Sequence, residues 1–155
     1  MIQLAVVRHA KAEHGGFELV DHERRLSPQG LRDAAAVAAR VLRSGVRSEV
    51  VLSSTAARAT ATAAAFAEAF GTTVVEDADL YAAPADRILA IARAHGAAEL
   101  TVVSHDPGVS ELVSELSGRE VGMTTGAVGL FTWNDGDWND VGIVPPDEFT
   151  LLTPG

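Results

Sequence analysis

The stretch LTVVSHDPGVSELVSELSG, Leu100–Gly118, decides the fold. Leu100–Ser104 is a short run of branched and apolar residues, as expected of a strand covered on both faces. His105-Asp106-Pro107-Gly108 interrupts it, and the residues from Pro107 to Leu116 read as a helix. Asp106 offers an N-cap, Pro107 suits the first turn, and Gly118 is a helical stop. A strand that passes into a helix through a four-residue loop is the repeating step of a parallel α/β sheet.

The same step recurs on both sides. Further apolar runs lie at Ile2–Val7, Val50–Ser53, Thr72–Val75 and Val128–Trp133, and helical stretches at Pro28–Arg43, Thr55–Phe70 and Pro84–His95. Ser27-Pro28 repeats the cap-plus-proline device, and Gly45, Gly71 and Gly96 close the helices. The βαβα order predicts a three-layer α/β/α sandwich with a mostly parallel central sheet. After Gly122 the character changes. Asn134-Asp135-Gly136 is a turn signal between Val128–Trp133 and Trp138–Ile143, which predicts a hairpin at a sheet edge.

The chain has 155 residues, 21 acidic against 12 basic, a formal charge of −9 and no cysteine. At this length the expectation is a single domain over residues 1–155 with a substantial core. The absence of cysteine excludes disulfides, thiolate zinc sites and a cysteine nucleophile. The acidic balance argues against nucleic acid as a partner, since that affinity rests on many Lys and Arg contacts to phosphate. The apolar run at the start stops at Arg8, too short for a secretory or membrane segment, so no membrane association and a cytoplasmic location are expected.

In an open parallel sheet, ligands bind beyond the carboxyl ends of the strands. The loops there carry Arg8-His9-Ala10, then Ser53-Ser54 with Arg58 in the next helix, then Ser104-His105-Asp106-Pro107-Gly108. Three loops on one edge thus supply two arginines and two histidines in an otherwise acidic chain. Such a concentration of donors suits a phosphate dianion. His105 also precedes a helix N-terminus, where dipole and free amides favour an anion.

These residues resemble the histidine phosphatase superfamily, the phosphoglycerate-mutase-like proteins. Arg8-His9-Ala10 is similar to its Arg-His-Gly signature, Ser53-Ser54-Thr55-Ala56-Ala57-Arg58-Ala59 to its second motif, and Ser104-His105-Asp106-Pro107-Gly108 to its third. Asp21-His22-Glu23-Arg24-Arg25-Leu26-Ser27-Pro28-Gln29-Gly30 resembles a stretch of the short SixA-type phosphohistidine phosphatases, a branch in which alanine at position 10 is common. The resemblance spans about residues 2–133. It implies His9 as nucleophile through a phosphohistidine intermediate, Arg8 and Arg58 clamping the phosphoryl oxygens, and His105 donating to the developing charge. Arg24 and Ser104 are further expected substrate contacts. The chemistry agrees: phosphoryl transfer needs positioning and charge stabilisation, and imidazole with a pKa of about 6.5 is a competent nucleophile without a metal. No cofactor and no metal are expected.

One departure is informative. Relatives acting on esters carry a glutamate acid two residues after a leucine in the loop following the third strand, where Leu80-Tyr81-Ala82 places Ala82. Asp79 and Glu13 are nearby carboxylates that do not match. An alkoxide leaving group needs an acid, whereas an imidazole leaving from a ring-protonated phosphohistidine does not. The expected substrate is therefore phosphohistidine on a signalling or phosphocarrier protein, reached through a site without a cap insertion, by a monomer. A small-ester phosphatase, a non-catalytic phospho-ligand module, and a metallohydrolase built on His9, His14, Asp21 and His22 are the alternatives. Against these roles, His14, His22 and His95 read as surface histidines, Asp21 and Arg24 as either rim residues or a loop salt bridge, and Trp133 and Trp138 as edge-strand packing.

Overall fold

Alternation along the first strand sets the layers. In β1 (Ile2–Arg8), Ile2, Leu4 and Val6 join one buried cluster while Ala5 and Val7 join another on the opposite face. The computed structural model describes residues 1–16 and 19–155, and the expected strands and helix cores up to Trp133 are present in it. In chain order these are α1 (Pro28–Arg43), β2 (Val50–Ser53), α2 (Ala57–Phe70), β3 (Val74–Glu76), α3 (Ala85–His95), β4 (Glu99–Ser104), α4 (Gly108–Ser117), β5 (Val128–Trp133) and β6 (Glu148–Leu152). They form one sheet of order β3-β2-β4-β1-β5-β6. The first four strands in that order are mutually parallel, β5 runs antiparallel to β1, and β6 antiparallel to β5.

Both faces are covered. Val37, Ala38 and Val41 of α1 and Ala59, Ala63 and Phe66 of α2 pack on the face bearing Ala5 and Val7. Ile88 and Ala92 of α3, with Leu112, Val113 and Leu116 of α4, pack on the face bearing Leu4 and Val6. The architecture is the expected three-layer α/β/α sandwich. Between α2 and β4 the chain holds only β3, a 3-10 turn at Ala78–Leu80, and α3.

The C-terminal hairpin needs a correction. Trp138–Ile143 is not the strand that returns along β5; that strand is β6, which pairs Val128 with Leu152 and Thr132 with Glu148. Residues 134–147 make an excursion of turns instead. Side-chain anchoring explains it. The Trp138 indole donates to the Ala97 carbonyl at 2.9 Å, and the Trp133 indole to the Val144 carbonyl at 2.8 Å. Arg93 donates to the carbonyls of Trp138 and Val141, so both tryptophans are buried but only Trp133 lies in a strand.

The start of α4 also differs in detail. Pro107 occupies the cap position and the helix begins at Gly108, while Asp106 Oδ1 accepts from the Ser110 amide at 3.1 Å and its hydroxyl at 2.6 Å. The acceptor role expected of Asp106 survives, directed one turn into the helix.

Candidate active site

The strand order brings the three loops together. Because β4 lies between β1 and β2, the residues that follow β4 are flanked by those that follow the other two. Arg8 pairs in register with Ser104, and Ser53 with Val103, so His9, Ser54 and His105 emerge side by side. The His9 and His105 ring centres are 5.2 Å apart.

The loop after β1 is held by two of the sequence motifs. Thr62 of α2 accepts the Ala10 amide at 3.0 Å and donates to the Arg58 carbonyl at 2.8 Å, tying the residue after His9 to the helix bearing Arg58. Ser27 caps α1 by accepting the Gly30 amide at 3.0 Å, and its own amide and hydroxyl both donate to the Lys11 carbonyl. Gly30 lies so close to that carbonyl that a Cβ there would collide with it. The Leu26-Ser27-Pro28-Gln29-Gly30 stretch therefore seats the loop from Lys11 onward on the N-terminus of α1.

His9 is buried, and its Nδ1 lies 2.7 Å from the Ala10 carbonyl. A carbonyl can only accept, so Nδ1 carries the proton and Nε2 presents a bare lone pair. The Arg58 Nε donates toward that Nε2 at 3.4 Å. Burial, with a smaller contribution from the surrounding arginines, pushes the His9 pKa down to about 4 against an ordinary 6.5. Burial likewise takes His105 down to about 3, helped by the neighbouring His9 and Arg58. Both rings are neutral at physiological pH.

Arg8 donates through Nη1 to the Met123 carbonyl at 2.9 Å and lies 3.7 Å from Asp106 Oδ2. Its Nε is buried and unpartnered among the described residues, as is His105 Nδ1. Buried polar nitrogens without a partner are rare in folded proteins. Arg8, His9, Arg58, His105 and Asp106 share a cleft of about 550 Å³ with Lys11, His14 and Arg24. Arg8, Arg58, Lys11 and Arg24 give this cleft a cationic lining.

The other expected residues divide. Arg24 lines the cleft, but its guanidinium is engaged by Asp21 Oδ1 at 3.1 Å and by the Glu13 carbonyl at 3.2 Å. Ser104 is set apart from the cleft: fully buried, it donates to the Leu80 carbonyl at 2.7 Å and so holds the loop after β3. His14, read as a surface residue, lines the cleft, and His22 binds Thr55 Oγ1 at 2.7 Å. Asp79 faces a separate groove beside α3, and Glu13 another beside His22. Ala82 stands where the acid of ester-cleaving relatives was sought, with a left-handed φ of 54°. Among the described residues no group of three or more His, Cys, Asp or Glu is arranged to hold a metal ion.

Asp21 is more central than the sequence suggests. Its Oδ2 binds Arg58 Nη2 at 2.9 Å, and its backbone carbonyl accepts from Arg58 Nη1 at 2.8 Å. The Tyr81 hydroxyl donates to the same Oδ2 at 2.6 Å. That hydroxyl, with Arg58 and Arg24 behind it, holds the Asp21 carboxyl well below the usual carboxylate range, and Asp21 in turn raises Tyr81. The two Nη groups of Arg58 are thus braced from one side. Only the Asp-x-x-Arg spacing at 21–24 hints at this, because the partner lies 37 residues along the chain.

A sequence model of the histidine phosphatase superfamily (branch 1) matches residues 4–83, about half the chain. The chain belongs to the histidine phosphatase superfamily. Among solved structures, the chain is similar to the candidate phosphohistidine phosphatase SixA of Agrobacterium tumefaciens, with TM-score 0.85, 23% identity, and 99% of this chain and 98% of that one covered. It is similar to the corresponding candidate from Nakamurella multipartitia, with TM-score 0.81, 28% identity, and 99% and 96% covered. A third match is the protein histidine phosphatase SixA complexed with tungstate, with TM-score 0.81, 23% identity, and 99% and 97% covered. No curated protein sequence matches the chain. No helix among the described residues is long and apolar enough to cross a membrane.

Proposed function

We propose that this protein removes the phosphoryl group from phosphohistidine on a partner protein, with His9 as nucleophile. The observation that carries the reading is the unprotonated Nε2 of a buried, neutral His9, fixed by the Nδ1 hydrogen bond to Ala10 and set among Arg8, Arg58 and His105. In the first step Nε2 attacks phosphorus as the N–P bond of the substrate breaks, and the electron pair returns to the departing imidazole. If that ring carries a proton on its other nitrogen it leaves neutral, with no acid required. Water then attacks phosphorus, the bond to Nε2 breaks, and both protons of the water are carried by the phosphate product and solvent. Throughout, the His9 proton stays on Nδ1, donated to the Ala10 carbonyl.

Arg8 and Arg58 neutralise the equatorial oxygens, which a loose phosphoryl-transfer transition state makes strongly anionic. Among the described residues, Asp106 is the one carboxylate that lines the cleft. Ala82 has none to offer, and Asp106 is occupied as an acceptor by Ser110 and lies near Arg8. That deficit favours a phosphoramidate over an alkyl ester. The lack of inserted structure between α2 and β4, apart from β3, a single 3-10 turn and α3, leaves room for a macromolecular substrate. The setting we assign is a single domain, acting as a monomer in the cytoplasm on a signalling or phosphocarrier protein.

The test is phosphate release from a protein phosphorylated on histidine, measured beside an aryl phosphate and an alkyl phosphate. Phosphohistidine should be cleaved, the aryl ester slowly, the alkyl ester hardly at all, and His9→Ala should abolish all three. Faster turnover of the alkyl ester would transfer the assignment to small phosphate esters. A fully active His9→Ala variant would remove the mechanism altogether.

A further inference from the structure

The His105 ring is buried, and its two nitrogens are in unequal surroundings. Nε2 lies 2.7 Å from Ser54 Oγ, whereas Nδ1 has no partner among the described residues. Ser54 is itself fully buried, placed there by the β2–β4 pairing and by its amide, which donates to the Val103 carbonyl at 3.0 Å. Its hydroxyl oxygen already accepts the Ala56 amide at 3.3 Å. The hydroxyl proton then has one acceptor within reach among the described residues, the lone pair of His105 Nε2.

Building on the phosphatase reading above, we propose that Ser54 is a positioning residue that sets the tautomer of His105, so that Nδ1–H is offered to the phosphoryl oxygens. A neutral imidazole has one N–H. If Ser54 donates to Nε2, that proton is on Nδ1, the nitrogen without a protein partner among the described residues, on a ring that lines the cleft. The opposite tautomer strands the Ser54 proton and confronts an incoming anion with a lone pair. An anion-binding site selects against it.

The arrangement complements that of His9. Both rings carry their proton on Nδ1, but they are turned end for end. His9 ties Nδ1–H to a backbone carbonyl and keeps Nε2 bare for attack, while His105 ties Nε2 to a hydroxyl and keeps Nδ1–H for donation. One fixed acceptor and one fixed donor, with ring centres 5.2 Å apart, give the cleft a polarity that two freely switching imidazoles would lack. Preorganised donors of this kind act where charge grows in the transition state.

The experiment is nitrogen NMR of the protein with labelled histidine, without ligand and then with inorganic phosphate, on wild type, Ser54→Ala and Ser53→Ala. Ser53 is the matched control, because its hydroxyl donates only to the Ser54 carbonyl, at 2.8 Å. We expect wild-type His105 to be protonated on Nδ1, and that proton to shift downfield when phosphate is added. Ser54→Ala should give a mixture of tautomers and a roughly tenfold fall in kcat on an aryl phosphate with KM changed less than about twofold, the pattern of a lost transition-state contact. Ser53→Ala should behave as wild type. A wild-type His105 protonated on Nε2, or a Ser54→Ala variant with unchanged kcat, overturns the proposal. A wild-type protein inactive on every phosphorylated substrate overturns the phosphatase reading separately, since the tautomer is read without turnover.

Discussion

Lowering the pH from about 7 to about 5 should destabilise this protein by about 4 kcal/mol through its two buried histidines alone. The sign follows from the two buried histidines. In the unfolded chain they titrate at 6.5, but in the fold burial takes His9 down to about 4 and His105 to about 3. Between those values the unfolded state binds protons that the native state refuses, so stability is complete above 6.5 and lost as the pH falls toward the folded values. Integrating the unfolded titration over that interval gives about 2 kcal/mol for each histidine. Asp21 contributes in the same direction but in a lower window. Its carboxyl is held down by the Tyr81 hydroxyl and the arginines, so its stabilisation disappears only below the ordinary carboxylate value of 3.8. The assay is guanidinium unfolding at closely spaced pH values, with His9→Gln and His105→Gln as companions. Each variant should remove about half of the slope between pH 5 and 6.5. A midpoint that stays level from about pH 7 to about pH 5 would refute the burial argument, and with it the neutral nucleophile.

Asp21→Asn leaves the Arg58 carbonyl contact but removes the charged partner of a guanidinium whose side chain is 6% exposed. We expect at least a tenfold loss of kcat/KM, measured on an aryl phosphate, and a more modest change in thermal midpoint because Asp21 itself is half exposed. Ala82→Gly should raise stability by about 0.5 kcal/mol in chemical unfolding, since a left-handed φ of 54° costs alanine more than glycine. Inorganic phosphate should raise the melting temperature of wild type, by about 2.7 kcal/mol of stabilisation at a hundredfold excess over its dissociation constant, and should do so far less in Arg58→Ala.

The legible part of the fold was what depends on local pattern. The cap at Ser27, the glycine stops and the apolar runs put helix α1 and strands β2 and β5 at their observed bounds. The error at Trp138–Ile143 arose where two tryptophans mimic strand residues while their indole N–H groups reach carbonyls across the fold. Strand β6 was missed because it is an exposed edge, with too little burial to leave an alternating signature. In the site, Arg8, His9, Arg58 and His105 were legible because strand ends and motif spacing place them on one edge. Asp21, Tyr81 and Ser54 act through partners 37, 60 and 51 residues away, distances that no local pattern reports. The Ser104 hydroxyl turns to the Leu80 carbonyl, a direction that its position at the strand end does not report.

Gly108 packs against the Ala83 carbonyl so closely that a side chain there would strike it. At its other end the same loop is pinned by the Asp77 amide on the Ser53 carbonyl at 2.9 Å, and in between Ser104 holds Leu80. Tyr81 rides on that loop. A substitution at 108 would therefore lever the tyrosine off Asp21 and loosen Arg58 at two removes. The constraint also channels how such a protein can diversify: this loop cannot thicken inward against α4, so any added structure there must grow outward, over the mouth of the cleft, where it would alter what enters before it altered what reacts.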